Sequence, residues 1–148
     1  MEHELIMGVQ HYESASSRAF WQQVFARLRG QSAHLLNYED ARAALNAWSE
    51  VEIGLMDIPI EQIVGSVGRH KDFTHTFLPK SAISRDRWSR IFATMVGDLG
   101  LPPVELYRLG EVYFVRDGNH RVSVARAIGC KTIQAYVTAV RPVSPNVT

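Results

Sequence analysis

The residues best suited to chemistry in this chain form one short run, Asp117-Gly118-Asn119-His120-Arg121. The stretch before it, residues 112–115, is rich in valine and aromatic residues and predicts a strand, whereas the apolar spacing after it predicts a helix. A helix N-terminus presents unpaired backbone N–H groups and the positive end of the helix dipole, so it attracts anions. The run therefore predicts a phosphate-binding turn between a strand and a helix.

Each member of this run has a role that its chemistry allows. The backbone N–H groups of Gly118, Asn119 and His120 would bind phosphate oxygens, and Gly118 lets the backbone approach a ligand closely. The planar guanidinium of Arg121 would neutralise the phosphate charge. Asp117, at the strand end, would hold Mg²⁺ or accept a hydroxyl proton. The alternative is structural, because Asp-Gly and Asn are common turn residues and often cap helices without a ligand.

Length and composition fit one domain with an extension. The chain has 148 residues, of which 46% are hydrophobic, and can bury an ordinary core. Its net charge of +1 comes from interspersed signs, so no overall field draws it to nucleic acid or to a membrane. No apolar run approaches the roughly 18 residues of a membrane span and residues 1–4 lack a secretory pattern, so we expect a cytoplasmic protein. The single cysteine, Cys130, excludes a disulfide framework.

Residues 1–50 predict a helical hairpin. Ser16 or Ser17 would cap the first helix, and Asn37, with Asp40 three residues later, would begin the second. Both helices carry apolar stripes at helical spacing: Phe20, Trp21, Val24, Phe25 and Leu28 in the first, and Ala41, Ala44, Leu45 and Trp48 in the second. We expect these stripes to pack against the following domain. The alternative is that they dock a protein partner or a second copy of the chain.

The middle of the chain predicts a short strand, a turn and a long loop. Residues 58–60 would form a strand that contains proline and so belongs at a sheet edge or at a strand start. Residues 65–68 would form a glycine-rich turn. The aperiodic residues 69–79 are typical of a binding loop or lid, or else of a solvated basic loop anchored by Phe73 and Phe77.

A third helix is predicted after this loop. Ser84 would cap it, and Gly100 with the prolines that follow would end it. Its buried stripe would consist of Trp88, Ile91, Phe92 and Met95. Three arginines on its outer side have acidic residues close by and predict a solvated face rather than a nucleic-acid contact: Arg85, Arg87 and Arg90.

The remaining residues predict a hairpin, the motif helix and a last strand. Residues 104–109 and 112–115 would be strands joined by the two-residue turn Gly110-Glu111. The motif helix would end at Gly129, and residues 133–140 would form the last strand, with a loose tail from Arg141 onward. The inward-facing residues of the motif helix would be Val122, Ala125, Ala127 and Ile128.

Together these elements predict an α+β fold, a small mixed sheet of about four strands with packed helices, preceded by the helical hairpin. The predicted boundaries are a helical extension over residues 1–50, a domain over residues 51–141 and a tail over residues 142–148.

The order of these elements resembles the ParB/sulfiredoxin superfamily over roughly residues 56–140. The resemblance is carried by Ile58–Ile63, Gly65–Arg69, Phe73, Leu101–Leu106, Val112–Val115, Asp117–Arg121, Ala125 and Gly129. It implies that the strand, the GxxR turn and the helix bind nucleotide phosphates. It also implies that Arg69, at the end of the first loop, joins Arg121 in neutralising phosphate charge.

The motif distinguishes this chain from members of the superfamily with known chemistry. Sulfiredoxins resemble it but carry a catalytic cysteine directly before the His-Arg pair, where this chain has Asn119, so sulfinic acid reduction is not expected. Chromosome-partition ParB proteins carry a GERR-type motif and a downstream helix-turn-helix domain, which we do not expect here. Free-serine kinases share Asp-Gly-x-His-Arg, in which the Asp is taken to act on the substrate hydroxyl. Their second catalytic carboxylate has no counterpart in residues 65–69.

The sequence therefore favours a stand-alone domain that binds a nucleotide or another phosphate ligand, with phosphoryl transfer or hydrolysis left open. Asp117 and His120 are the predicted catalytic residues, and a nucleoside phosphate with Mg²⁺ held by Asp117 is the predicted cofactor. The alternative from a different class is a non-catalytic regulatory or interaction module. A nuclease or DNA-associated protein is a third alternative, although the sequence shows neither clustered carboxylates nor a basic groove.

Overall fold

The computed structural model describes residues 18, 19, 21, 22, 35–68, 73, 74, 77, 85–97 and 100–142. Three helices are described in full: Tyr38–Ala44 (α1), Arg85–Val96 (α2) and Asn119–Ala127 (α3). The strands are Leu36–Asn37 (β1), Ala47–Pro59 (β2), Ile63–Ser66 (β3), Val104–Leu109 (β4), Val112–Asp117 (β5) and Thr132–Pro142 (β6). A 3-10 turn, Ile60–Gln62, joins β2 to β3.

These six strands form one mixed sheet in the order β1-β3-β5-β4-β6-β2. Strands β1 with β3, β3 with β5 and β4 with β6 pair in parallel, whereas β4 with β5 and β2 with β6 are antiparallel. The predicted fold class, a mixed sheet with packed helices, is confirmed, with six strands in place of about four. The two additional strands are β1 and β3, which the sequence pattern assigns to a helix cap and to a turn.

The predicted second helix is present but shorter than expected. Asn37 caps α1, since its Oδ1 atom accepts a hydrogen bond from the Glu39 N–H at 3.1 Å. The helix ends at Ala44, and the chain then reverses through Asn46 with φ = +51°. Asn tolerates this left-handed conformation better than most residues, because its short polar side chain interacts locally with the backbone.

Trp48 consequently lies in β2 and not on the predicted helix stripe, and it is 53% exposed. Its indole Nε1 donates to the Asn46 Oδ1 at 2.8 Å, and the Arg42 guanidinium stands 4.4 Å from the ring centroid. Residues 58 and 59 of the predicted strand are thus the end of a much longer strand that begins at Ala47, whereas Ile60 begins the 3-10 turn. The domain boundary after residue 50 remains a prediction, although β2 crosses that position.

The predicted first helix lies mostly outside the described residues. Residues 18, 19, 21 and 22 are helical, and Trp21 packs against a core cluster on the sheet. Docking of a partner through this helix remains a prediction.

Gly65 and Ser66 belong to β3 rather than to the predicted glycine-rich turn. Gly65 is paired with Leu36 on one side and with Phe114 on the other. A Cβ at this position would overlap the Leu36 carbonyl oxygen and the Phe114 ring. The glycine is therefore needed for close approach of neighbouring strands rather than for a turn.

Hydrophobic cores lie on both faces of the sheet. On the face that carries α3, the cluster comprises Leu35, Ile58, Ile63, Phe73, Phe77, Val104, Leu106, Tyr113, Val115, Val122, Ala135 and Val137. On the face that carries α1, it comprises Leu36, Tyr38, Ala41, Ala47, Val64, Leu109, Val112, Phe114 and Val140. Burial of both faces explains why β5 reads as a continuous apolar run and not as an alternating one.

Two predicted apolar stripes are less buried than their spacing suggests. Helix α2 is present, but none of its residues is buried, and Phe92 of the predicted stripe is 38% exposed. In α3, Val122 and Ala125 face inward as predicted, whereas Ala127 and Ile128 are exposed because the helix ends at Ala127. Helical periodicity identifies a stripe correctly, but the amount of burial depends on what packs against it.

The hairpin between β4 and β5 agrees with its prediction, with a turn at Gly110-Glu111 and φ = +62° at Gly110. The last strand runs further than predicted, because Arg141 and Pro142 pair with Ser49 and Ala47 of β2. None of the helices in the described residues is long and apolar enough to cross a membrane.

Candidate functional site

A cavity of about 190 Å³ lies at the N-terminus of α3. The strand and turn before the helix and one side of α2 surround it. Its lining contains the whole predicted run, Asp117–Arg121, together with Val67, Arg87, Ile91 and Arg116. The structure thus brings the predicted residues of the run together, and their roles remain to be argued from geometry.

The turn before α3 depends on Gly118. This residue has φ = +111° and ψ = 28°, a left-handed conformation that favours glycine. A Cβ here would lie only 2.6 Å from the Val104 Cγ1 atom of β4. The first helical hydrogen bond runs from the Val122 N–H to the Gly118 carbonyl at 3.0 Å. Both the backbone conformation and the packing therefore require glycine at this position.

The first turn of α3 has no side-chain cap. Its N-cap residue is Gly118, and no described side chain accepts a hydrogen bond from the first-turn N–H groups. The structural alternative, in which Asp or Asn of the run caps the helix, is therefore not what the structure shows. Uncapped N–H groups beside a cavity are the arrangement in which helix N-termini bind anions.

Arg121 is held by three hydrogen bonds. Its Nη1 donates to the carbonyl oxygens of Pro102 and Pro103, both at 2.9 Å, and its Nη2 donates to the Asp117 Oδ2 at 2.8 Å. These bonds tie the start of α3 to the segment that enters β4 and to the end of β5. The guanidinium is a structural clamp as well as a cation at the cavity, and only its remaining N–H groups are available to a ligand.

Asp117 combines exposure with an ion pair. Its carboxylate is 64% exposed and is bonded to Arg121 through Oδ2. In the described part of the chain, no group of three or more His, Cys, Asp or Glu residues is placed to hold a metal ion. Mg²⁺ commonly binds through one or two carboxylates and the phosphates of its ligand. One carboxylate is therefore enough for a Mg²⁺ ion that binds together with a phosphate ligand. Asp117 would be the protein residue that coordinates this ion.

Asn119 and His120 lie largely buried at the base of the cavity, at 8% and 7% exposure. The His120 ring is edge-on to Phe73, with centroids 5.3 Å apart. Phe73 and Phe77 are fully buried, which fits the alternative of two anchoring phenylalanines, whereas the binding-loop alternative for residues 69–79 stays a prediction. Phe77 has φ = +62°, and its N–H bonds to the Thr74 carbonyl at 2.9 Å.

Ser123 connects Phe77 and α2 to α3. Its hydroxyl donates to the Phe77 carbonyl oxygen and accepts a hydrogen bond from the Trp88 Nε1 at 2.9 Å. Trp88 is the next residue after Arg87. The Trp88–Ser123 bond therefore holds α2 where Arg87 lines the cavity.

Two cavity arginines, Arg87 and Arg116, were not predicted as site residues. The sequence pattern places Arg87 on a solvated face, and its position at the cavity results from the packing of α2 on α3. Arg116 immediately precedes the motif, which is a local signal that could have identified it, and its guanidinium lies 5.5 Å from the Tyr107 ring centroid. With Arg121 there are three cations and one anion, Asp117, so the lining carries a net charge of +2 with histidine neutral.

Arg69 lies outside the described residues, so its predicted role in neutralising phosphate charge stays a prediction. Cys130 is exposed and follows the opposite end of α3, roughly 13 Å from its N-terminus by the rise of a nine-residue helix.

No protein-family model matches this chain, and no curated protein matches its sequence. Among solved structures, sulfiredoxin from Arabidopsis thaliana is similar at 17% identity, with 56% of this chain and 82% of that chain covered and a TM-score of 0.43. The C-terminally truncated chromosome-partitioning protein ParB from Caulobacter crescentus, complexed with CTP-gamma-S, is similar at 17% identity, with 62% and 46% covered and a TM-score of 0.44. This chain thus spans less than half of that ParB chain. Both similarities have TM-scores below 0.5, and neither identifies a ligand of this chain.

Proposed function

We propose that this chain is a cytoplasmic domain that binds a small phosphate-bearing ligand, with a nucleoside phosphate as the first candidate, in the cavity at the start of α3. The observation that carries the proposal is the convergence of Arg87, Arg121 and an uncapped helix N-terminus on one cavity. Each feature alone is common on protein surfaces. Together they supply cations and backbone N–H donors to the same small volume, which is the combination that phosphate requires.

The arginines differ in how freely they can meet a ligand. Arg121 is 16% exposed and already bonded to Pro102, Pro103 and Asp117. Arg87 and Arg116 are exposed, and within the described residues neither has an ion-pair partner. Arg87 is therefore the group that would neutralise most of the phosphate charge, because the Arg116 guanidinium lies over the Tyr107 ring and Arg121 mainly holds the turn in shape.

The size of the cavity limits which part of a ligand it encloses. At about 190 Å³, it is smaller than the roughly 300–1,000 Å³ of pockets that bury drug-sized ligands. It would enclose phosphate groups, and the nucleoside of a nucleotide would extend beyond it. Mg²⁺, when bound with such a ligand, would further neutralise the phosphates.

A phosphoryl-transfer activity would use Asp117 and His120. The exposed Asp117 carboxylate would accept the proton of an attacking hydroxyl or water as the new oxygen–phosphorus bond forms and the bond to the leaving phosphate breaks. His120, in the first turn of α3, would contribute its backbone N–H to the phosphate. The ion pair with Arg121 would orient the Asp117 carboxylate before the reaction.

Calorimetric titration of the full chain with pyrophosphate, ATP and CTP, each with and without Mg²⁺, tests the binding proposal. Arg87→Ala should weaken binding about tenfold, the value of one charge-assisted hydrogen bond. Arg90→Ala is the matched control, because Arg90 is exposed on the same helix but does not line the cavity. Absence of binding by the parent, or equal losses in Arg87→Ala and Arg90→Ala, would remove the cavity from the proposal.

Asp117→Asn separates an enzyme from a binding module. If Asp117 acts in the transition state, the change should suppress nucleotide turnover by at least about a hundredfold while affinity is kept or improved, because a negative charge near the phosphate is lost. Turnover is measured by phosphate release with Mg²⁺ and a panel of hydroxyl acceptors. Unchanged turnover in the variant would eliminate the catalytic role, and a parent without turnover would leave a binding function alone.

A further inference from the structure

The outer edge of β2 is a long sheet edge with which no described strand pairs. Among the described strands, β2 is the last of the sheet, with β6 as its neighbour on the inner side. It spans Ala47–Pro59, 13 residues, whereas most strands have about five or six. A free edge presents backbone N–H and C=O groups to any extended chain that can pair with it, so natural proteins usually shorten or protect such edges.

The side chains along this strand are unusually apolar for an exposed edge. Val51, Ile53, Leu55 and Met56 are all exposed, and Leu55 is 50% accessible. Its partner on β6 is Tyr136, which is 53% accessible. We call these five residues the β2 edge surface. Leu55 and Tyr136 lie on one face of the sheet, whereas Val51 and Met56, which pair with Ala139 and Ala135, lie on the other. Exposed apolar residues beside a strand edge with which no described strand pairs are typical of a site for another chain.

The charges of β2 indicate what kind of chain that is. The strand carries three exposed carboxylates, Glu50, Glu52 and Asp57, and no lysine or arginine. A second copy pairing antiparallel with this edge would bring three carboxylates from each copy together, and like charges on adjacent strands are destabilising. The acidic edge therefore disfavours self-association and favours a basic partner.

The pairing register of β2 with β6 shows which of these side chains share one face of the sheet. Glu52, Leu55 and Asp57 pair with Thr138, Tyr136 and Gln134, which alternate along β6 and therefore lie on one face. That face thus presents an apolar pair, Leu55 and Tyr136, between two carboxylates. The register is continuous from Gly54 to Pro59, and a bulge between Glu52 and Gly54 interrupts it.

We propose that the outer edge of β2 binds an extended segment of another protein by strand addition, and that this segment alternates basic and apolar residues on the face that meets Leu55 and Asp57. The ladder would run along Gly54–Ile58, since Pro59 has no N–H to donate. Main-chain hydrogen bonds would provide affinity, and the carboxylates would select the partner's charge. No residue of the β2 edge surface lines the cavity at the start of α3, although Glu52 and Tyr136 line a second cavity together with Arg116.

Fluorescence anisotropy with the full chain and a labelled synthetic peptide of lysine, valine, leucine, valine and lysine, flanked by threonines, tests this proposal. The peptide should bind, and a version with glutamates in place of lysines should bind at least about tenfold more weakly. A version methylated on alternate backbone nitrogens should lose binding while its side chains are unchanged, because strand addition needs these donors.

Asp57→Lys should reduce binding of the lysine peptide and raise that of the glutamate peptide. Glu111→Lys, the same charge change in the exposed turn between β4 and β5, is the matched control and should alter neither. Equal binding of both peptides by the parent, or no effect of backbone methylation, would overturn the proposal. A concentration-dependent dimer in sedimentation that Asp57→Lys alters would also overturn it, because the occupant would then be a second copy of this chain.

Discussion

The N-terminus of α3 and the outer edge of β2 carry opposite charges in a chain whose net charge is only +1. The cavity lining has three arginines and one aspartate, whereas β2 has three carboxylates and no cation. The cavity is concave and polar, and the edge is extended with exposed apolar side chains. The nearly neutral net charge therefore includes two local surfaces of opposite charge. We propose a small anion as the ligand of the cavity and a basic polypeptide as the ligand of the edge.

The two regions also differ in how they are held. The cavity is built by a tight turn, a clamp from Arg121 and the Ser123 bridge to α2. The edge of β2 is supported by long-range pairing with β6. Variants that damage one region should consequently leave the other intact, and this expectation makes the comparison testable.

The largest effect is expected from Gly118→Ala, which should damage the cavity alone. The new Cβ would meet Val104 at 2.6 Å in addition to the cost of φ = +111°, so we expect a loss of about 3 kcal/mol in the free energy of unfolding and loss of phosphate binding. Gly129→Ala is the control, because Gly129 also has positive φ (+84°) but has open space around it, and it should cost about 1 kcal/mol. Urea unfolding measures both values. Equal costs would show that the contact with Val104 is unimportant.

Arg121→Ala should have the next largest effect, on stability as well as on phosphate binding. It removes bonds to two carbonyl oxygens and to Asp117, so we expect a loss of about 2 kcal/mol in the free energy of unfolding. Peptide binding at β2 should stay unchanged. If stability does not change while phosphate affinity falls, then Arg121 is a ligand-binding residue and the clamp is incidental.

The smallest effect is expected from a substitution at Tyr38. This residue is buried in the core, and Glu50 of β2 is one of the charges that affect the pKa of its hydroxyl. Burial raises the pKa of the Tyr38 hydroxyl from 10 to about 12, and nearby Glu50 adds a smaller upward shift. Because the folded-state pKa is the higher one, this contribution to stability is fully present below pH 10 and is lost as the pH rises toward 12. Tyr38→Phe should therefore reduce the alkaline loss of stability.

At neutral pH the same variant should be more stable by about 1 kcal/mol, because the buried Tyr38 hydroxyl has no hydrogen-bond partner in the described residues. Tyr136→Phe, at a 53% exposed position, is the control. Thermal unfolding between pH 7 and pH 11 compares the variants. A Tyr38→Phe protein with the parent's alkaline profile would contradict this account.

Local signals in the sequence predicted the strand, turn and helix around residues 112–127 and the hairpin at Gly110 correctly. Two local features act over only a few residues: the turn-forming glycines Gly110 and Gly118, and the apolar pattern of β5. Both can be recognised in the sequence without knowledge of the fold. The capping of α1 by Asn37 could be predicted for the same reason. The resemblance in motif order indicated the mixed sheet.

Other features were decided by residues distant in the chain. The start of β2 resembles a helix stripe locally, and only pairing with β6 makes it a strand. Arg87 reaches the cavity because Trp88 bonds to Ser123 on another helix, and Arg121 acts as a clamp because the Pro102 and Pro103 carbonyls are placed beside it. The sequence by itself determined the strand, the turn at Gly118 and the helix that follows, since turn geometry is local. The tertiary structure alone decided which charges surround it and which edge stays open, because those depend on packing and strand pairing across the fold.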